Sequence, residues 1–280
     1  MSLIDILAIP AFLASSEAVY LGAKEIDSSL LGMASLIPEI AIILNSMVIH
    51  QEIVGLSSLL GSILILYTLA FGVTGLIYLT KEKKGLKSQT PTEKNYIFLL
   101  SIVMLIILLT GYMNFFWSVT LVFLFVSYLW IKRSVIKVPK VKTLLLLVNG
   151  TIVLWILSGP IVKDILAVSS FVGVNPVIIA TVTLPIISNY QEFIIAIRMA
   201  YRKRANDAFA ALMSENIQAS TLLLAMIGVL SPLRLYSLSP LFIAVAIGGI
   251  LAYYSMNNRI TLKTSMVFIL MYCITMVLIR

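Results

Sequence analysis

Residues 95–113 read NYIFLLSIVMLIILLTGYM, a run without one charged side chain. Such a run leaves the backbone few options. In hydrocarbon every N–H and C=O must be satisfied within the protein, so only α-helices and closed β-barrels cross a bilayer. Barrel strands alternate apolar and polar residues, and this run does not. A helix crosses with roughly 20 residues, and runs of about that length recur along the chain. Ten spans are expected, at 3–22, 29–49, 53–80, 95–111, 113–131, 143–170, 174–201, 207–230, 236–256 and 262–279. Hydrophobic residues make up 60% of the 280 and charged ones 11%, against about 25% charged in a soluble domain. The chain reads as an all-α polytopic membrane protein. MSLIDILAIP lacks the basic start of a cleavable signal, so the first span is expected to be retained.

The charges between the spans set an orientation. With the N-terminus outside, the odd-numbered loops are cytoplasmic and hold 17 of the 20 basic residues, including Lys81, Lys83, Lys84, Lys132, Arg133, Arg202, Lys203 and Arg204. Positive loops stay inside, so both termini are expected outside. The formal charge of +8 is then topological rather than a nucleic-acid footprint. Ten spans divide into five and five, and an odd repeat unit forces the second copy to be inverted. The expected organisation is a first five-helix repeat over 1–131, a cytoplasmic linker over 132–142 and a second, inverted repeat over 143–280. Inverted repeats place a transport site near the midplane where they meet.

Polar residues inside the spans point to that site. A charge at the bilayer centre costs about 2.5–3.5 kcal/mol on insertion scales, so one that is retained marks a pathway. Asp5, Glu25, Asp27, Glu52, Glu82, Glu93 and Asp207 fall at or near span ends, where water is expected to reach them. Glu17, Glu39, Asp164, Glu192 and Glu215 lie deeper. Glu39, in LIPEIAIILNS, and Glu192, in SNYQEF, sit near mid-membrane, with Pro38 beside the first and Pro185 upstream of the second. Proline removes a backbone donor and breaks or kinks a helix, which frees carbonyls for ions. Gly61 follows Glu39 by 22 residues, and Ser214 follows Glu192 by 22. Each glutamate helix therefore forms a hairpin with a second helix. The first hairpin offers the small residues Ser57, Ser58, Gly61 and Ser62. The second offers Ser214, Glu215, Asn216 and Gln218.

SLIPE (35–39), LSSLLGSIL (56–64), SNYQE (188–192) and SENIQ (214–218) resemble the two α-repeats of the cation/Ca²⁺ antiporter superfamily, which includes sodium/calcium and calcium/proton exchangers. FLASSEAVYLGAKEI (12–26) is similar to that family's first helix, whose acidic residue matches Glu17. GVNPVIIATVTLP (173–185) is similar to the run that leads into the second motif. The resemblance covers about two thirds of the chain. It implies ten helices in two inverted halves and Ca²⁺ held between the hairpins. By match, Glu39 and Glu192 are the ion-binding carboxylates, with Asn216 and Gln218 as amide ligands. Asn189, Ser35, Ser62 and Glu215 complete the expected metal site. The sequence departs from the pattern in four places, the first being a link between helices 1 and 2 about ten residues shorter than the family's. ILIL follows Gly61-Ser62 where the family often has Asn, Ser214 replaces a glycine, and Glu215 replaces a small or amide residue.

Ca²⁺ takes six to eight oxygen ligands from carboxylates, carbonyls, amides and water, and two glutamates would balance its charge. The same carboxyls can carry protons instead, which is the minimum requirement for antiport. Sodium needs further neutral oxygens, and the ILIL run removes some, so H⁺ is the favoured coupling ion over Na⁺. The expectation is a secondary active antiporter that exchanges Ca²⁺ for H⁺ or Na⁺ by alternating access, in a prokaryotic plasma membrane. Its expected partners are membrane lipid and the transported cations. No cofactor and no catalytic residue are expected. A single histidine, His50, rules out H-E-x-x-H, and the single cysteine, Cys273, cannot form an internal disulfide. Aspartate-rich prenyl-transfer motifs are absent too: NDAFAAL (206–212) has one aspartate. The competing reading is a ten-helix transporter for another divalent cation or a small metabolite.

Overall fold

The computed structural model describes residues 3–24, 34–87, 90–132 and 141–279. Glu25, Asp27, Arg133, Lys137, Lys140 and most of the 132–142 linker lie outside the described residues. The described chain is nearly all helical. In order, the helices are α1 (Leu3–Lys24), α2 (Ile37–Val48), α3 (Glu52–Ile65), α4 (Phe71–Glu82), α5 (Pro91–Thr110), α6 (Phe115–Lys132) and α7 (Val141–Val172). They continue with α8 (Pro176–Ser188), α9 (Tyr190–Tyr201), α10 (Ala205–Gln218), α11 (Leu224–Leu230), α12 (Ser239–Asn257) and α13 (Leu262–Leu278). Two-residue strands β1 (Tyr112–Met113) and β2 (Leu233–Arg234) pair antiparallel. Six helices are long and apolar enough to cross a membrane, among them the continuous runs Glu52–Glu82 and Ala205–Leu230. The pair α8 and α9 makes a seventh if counted as one span bent by 56°. Three shorter apolar helices, Ala8–Leu21, Ile37–Val48 and Leu262–Leu278, accompany them.

Local chemistry explains where the helices break. α2 follows a turn at Leu36, with Pro38 in its first turn, where the missing N–H has no intrahelical partner to lose. α8 carries Pro185 and stops at Asn189, whose N–H reaches back to the Pro185 carbonyl at 2.9 Å. The helix restarts at Tyr190. Glu39 and Glu192 thus occupy the first turn of a restarted helix, where free N–H groups and the helix dipole favour a negative charge.

Two π-helical segments interrupt the partner helices. Leu66–Ala70 joins α3 to α4, and Ala219–Leu223 joins α10 to α11. Each begins 27 residues after its glutamate. A π turn bonds i to i−5, which leaves an i−4 carbonyl without its usual donor. Thr68 hydroxyl supplies one to Leu64 at 2.5 Å, and Thr221 does the same for Ile217 at 2.6 Å.

Small residues let the helices close up. A methyl group at Gly61 would strike the Thr181 carbonyl oxygen and, at 2.8 Å, the Pro185 ring. Pro185 has no N–H to offer that carbonyl, so it stands free against the bare Cα of Gly61. Gly249 meets Ser101, Gly75 meets Ser265 and Gly228 meets Ser118 in the same way. A larger buried cluster draws on α2–α6 and α9–α13, with Phe71 stacked at 4.5 Å on Phe209 and 4.6 Å on Phe268. A smaller one gathers Phe12, Val19, Ile42, Leu154, Ile161 and Leu184 from α1, α2, α7 and α8.

One expectation needs correction. Glu93 is not left to water: it is 3% exposed and forms an ion pair with Lys132. Its place one turn inside α5 puts it against the end of α6, so nearness to a span end did not imply solvation.

Candidate cation site

The two helix restarts meet. Asn189, at the break between α8 and α9, points its amide nitrogen into four oxygens. These are Glu39 Oε1 at 3.1 Å, Ser62 Oγ at 2.9 Å, Pro185 O at 3.0 Å and Ser188 Oγ at 3.1 Å. Ser62 and Ser188 hydroxyls lie 3.5 Å apart. An amide NH₂ has two protons, so four oxygens exceed what it can satisfy. The nest joins residues more than a hundred positions apart, from α2 and α3 on one side and α8 on the other. Gly61 is what permits it: the bare Cα brings α3 against α8 one residue before Ser62.

The acidic groups cluster around this nest. Glu215 lies within electrostatic reach of Glu192 and Glu39, and Glu192 within reach of Glu39. Ser35 hydroxyl reaches the Glu215 carboxyl. Glu39 and Glu215 are buried, and Glu192 is partly exposed with its Oε2 sealed from solvent. No salt bridge among the described residues involves any of the three, and no lysine or arginine is among the buried side chains. Several buried atoms have no hydrogen-bond partner: Glu39 Oε2, Asn189 Oδ1, Glu192 Oε2, both amide atoms of Asn216, and Gln218 Oε1. Buried polar atoms are rarely left so, and most of these are carboxylate and amide oxygens, the atom types a hard cation takes as ligands.

Of the residues singled out in the sequence, Glu39, Ser62 and Asn189 are in direct contact. Ser35 and Glu215 are joined to each other, and Asn216 and Gln218 are buried on the same helix as Glu215. Among the described residues, no three acidic, histidine or cysteine side chains stand close enough to enclose a metal ion. Three participants were not among the expected ligands. Ser188 and the Pro185 carbonyl come with the motif already marked by Asn189, and their signal was the proline four residues before an amide. The third is Tyr20 of α1, within electrostatic reach of Glu192. It faces the site where Glu17, by contrast, is exposed.

A sequence model of the sodium/calcium exchanger protein family matches residues 6–133 and 142–279. No curated protein sequence matches the chain significantly. Among solved structures, the H⁺/Ca²⁺ exchanger CAX is similar with a TM-score of 0.83 at 16% identity, over 99% of this chain and 85% of that one. Native YfkE is similar with a TM-score of 0.76 at 17% identity, over 99% and 89%. The sodium–calcium exchanger NCX_Mj, soaked with Na⁺ and Sr²⁺, gives 0.70 at 15% identity over the full length of both chains.

Proposed function

The chain belongs to the sodium/calcium exchanger protein family, transmembrane antiporters of the Na⁺/Ca²⁺ or H⁺/Ca²⁺ type, and from that premise we propose that it exchanges Ca²⁺ for H⁺ at a site between its two glutamate hairpins. Glu39 and Glu192 are the paired carboxylates. Ser35, Ser62, Asn189, Glu215, Asn216 and Gln218 supply the remaining oxygens and charge. In this reading ten spans form two inverted halves, 1–131 and 143–280, joined by the linker 132–142, with both termini outside the cell.

The observation that carries the reading is the nest around Asn189. Four oxygens drawn from both halves surround an amide NH₂, whose hydrogens carry partial positive charge, and a cluster of oxygens is what a hard cation needs. Charge balance supports coupling to protons. Three acidic groups lie within electrostatic reach of one another, no lysine or arginine is buried among the described residues, and unpaired buried charge is expensive. Either a divalent ion or protons can neutralise them, and occupation by one opposes the other. The halves are also alike in detail: glutamate after a helix break, then a π segment after the same interval with the same threonine bond.

Loop pairings support the proposed topology. Leu86 bridges to Ile260, and β1 pairs with β2. In the ten-span scheme the first joins two cytoplasmic loops and the second two external ones. A miscounted span between partners would put them on opposite faces.

Purified protein in proteoliposomes tests the reading directly. Ca²⁺ uptake is expected with an imposed pH gradient and not with a sodium gradient. Glu39→Gln and Glu192→Gln are each expected to abolish uptake while the protein still elutes as a folded species. Uptake driven by sodium alone would reassign the coupling ion, and retained exchange in either variant would refute the site.

A further inference from the structure

Outside the nest, one buried tyrosine is wired to the site from a helix no motif marks. Tyr128 of α6 is 1% exposed, and its hydroxyl donates to Ser214 Oγ at 2.7 Å. Ser214 Oγ also accepts from Gln218 Nε2, one turn on along α10, at 3.3 Å. Gln218 is 1% exposed, and its Oε1 has no partner.

A serine hydroxyl has two lone pairs and one proton. Tyr128 and Gln218 both donate to it, and together they occupy its two lone pairs. In this arrangement the Gln218 NH₂ lies toward Ser214 and its oxygen away from it. We propose that Tyr128 is a positioning residue that acts through Ser214 to hold Gln218 Oε1 as the atom offered to the transported cation. The proposal rests on the reading of Gln218 as a ligand. Tyr128 suits the task because α5 fixes its ring. Tyr96 packs edge-on against it at 5.1 Å, and Tyr96 hydroxyl is itself tied to Ser127 at 2.9 Å. Without the phenol, Ser214 loses the bond that holds its Oγ in place and can turn it away from Gln218 Nε2, so the amide is no longer held with Oε1 presented. Ser214, which stands where the related motif has glycine, thereby gains a specific use.

The test is the Ca²⁺ dependence of gradient-driven uptake by Tyr128→Phe, Ser214→Ala, Gln218→Ala and the double variant Tyr128→Phe/Gln218→Ala. Removing a group that orients a metal ligand weakens metal affinity by roughly 10-fold. Tyr128→Phe is expected to raise KM for Ca²⁺ by about that factor with kcat little changed, the mark of lost binding common to ground and transition states. Gln218→Ala should raise KM at least as much, and the double variant no further. A KM unchanged in Tyr128→Phe but raised in Gln218→Ala overturns the positioning role and leaves Gln218 a ligand. A KM unchanged in Gln218→Ala removes the ligand assignment, and the proposal with it. Additive effects in the double variant also overturn it, because Tyr128 would then act elsewhere. Should Tyr128→Phe fail to fold, Ser214→Ala decides: it interrupts the same connection and must raise KM for the proposal to stand.

Discussion

Single residues carry much of what is testable here. At Gly61 one added methyl meets a carbonyl oxygen and a proline ring, neither of which can swing aside. Gly61→Ala is expected to lower stability by about 1–3 kcal/mol, as overpacking does, and to show as a reduced Tm in detergent. Glu93 makes a sharper case. Lys132→Met leaves a buried carboxylate without its partner, which is expected to cost about 2 kcal/mol after allowance for the half-exposed lysine. Adding Glu93→Leu should restore the Tm, and a double variant as unstable as the single one would contradict the pairing. Glu39 and Glu192 were legible in the sequence because a carboxylate in an apolar run is conspicuous. Glu93 was misread because position along a span does not reveal which neighbour covers it. Tyr128 was invisible for a related reason: an aromatic near a span end resembles an interfacial anchor, and only the fold shows it turned inward toward Ser214.

At the level of elements, hydropathy located the long apolar helices closely, as at 95–111 against Pro91–Thr110 and 236–256 against Ser239–Asn257, since crossing lipid demands an apolar run of about 20 residues. Within 29–49 the described helix is only Ile37–Val48, and 174–201 is two helices. The break at Asn189 was signalled by Pro185, but the 56° bend was not, because a proline says where a helix weakens and its neighbours decide the angle. The end of α4 and the α9–α10 turn clasp one another. Lys203 pairs with Glu82 at 2.8 Å, while Lys81 lies over the Tyr201 ring at 3.1 Å. Hydrogen bonding to Glu82, and then its charge, hold the Lys203 ammonium above the ordinary lysine range. A raised lysine contributes fully below its ordinary value and loses the contribution as pH climbs through the raised one. The Lys203 side of the clasp is therefore expected to hold across neutral pH and to loosen only in strong alkali. Lys203→Ala should leave the neutral-pH Tm within error, as exposed pairs usually do, and a clear drop would mean that the clasp bears on folding.

The whole molecule is where the charge pattern makes its claim, and site-directed labelling can check it. In a Cys273→Ser background, Lys84→Cys is expected to react with an impermeant thiol reagent only from the cytoplasmic side, and Tyr236→Cys only from outside. The opposite result would invert the molecule in the membrane. The π segments bear on the molecule in another way. Each residue of an α-helix advances the side-chain direction by about 100°, so one surplus residue works as a phase shifter. In the first half it lets Gly61 face α8 while Gly72 and Gly75 face α13. Deleting one residue from Leu66–Ala70 would make that helix more regular and yet turn its two halves out of step. Such a deletion should harm the protein more than any substitution in the same five positions. What looks like an irregularity in the helix is the setting that keeps both of its faces in register with their partners.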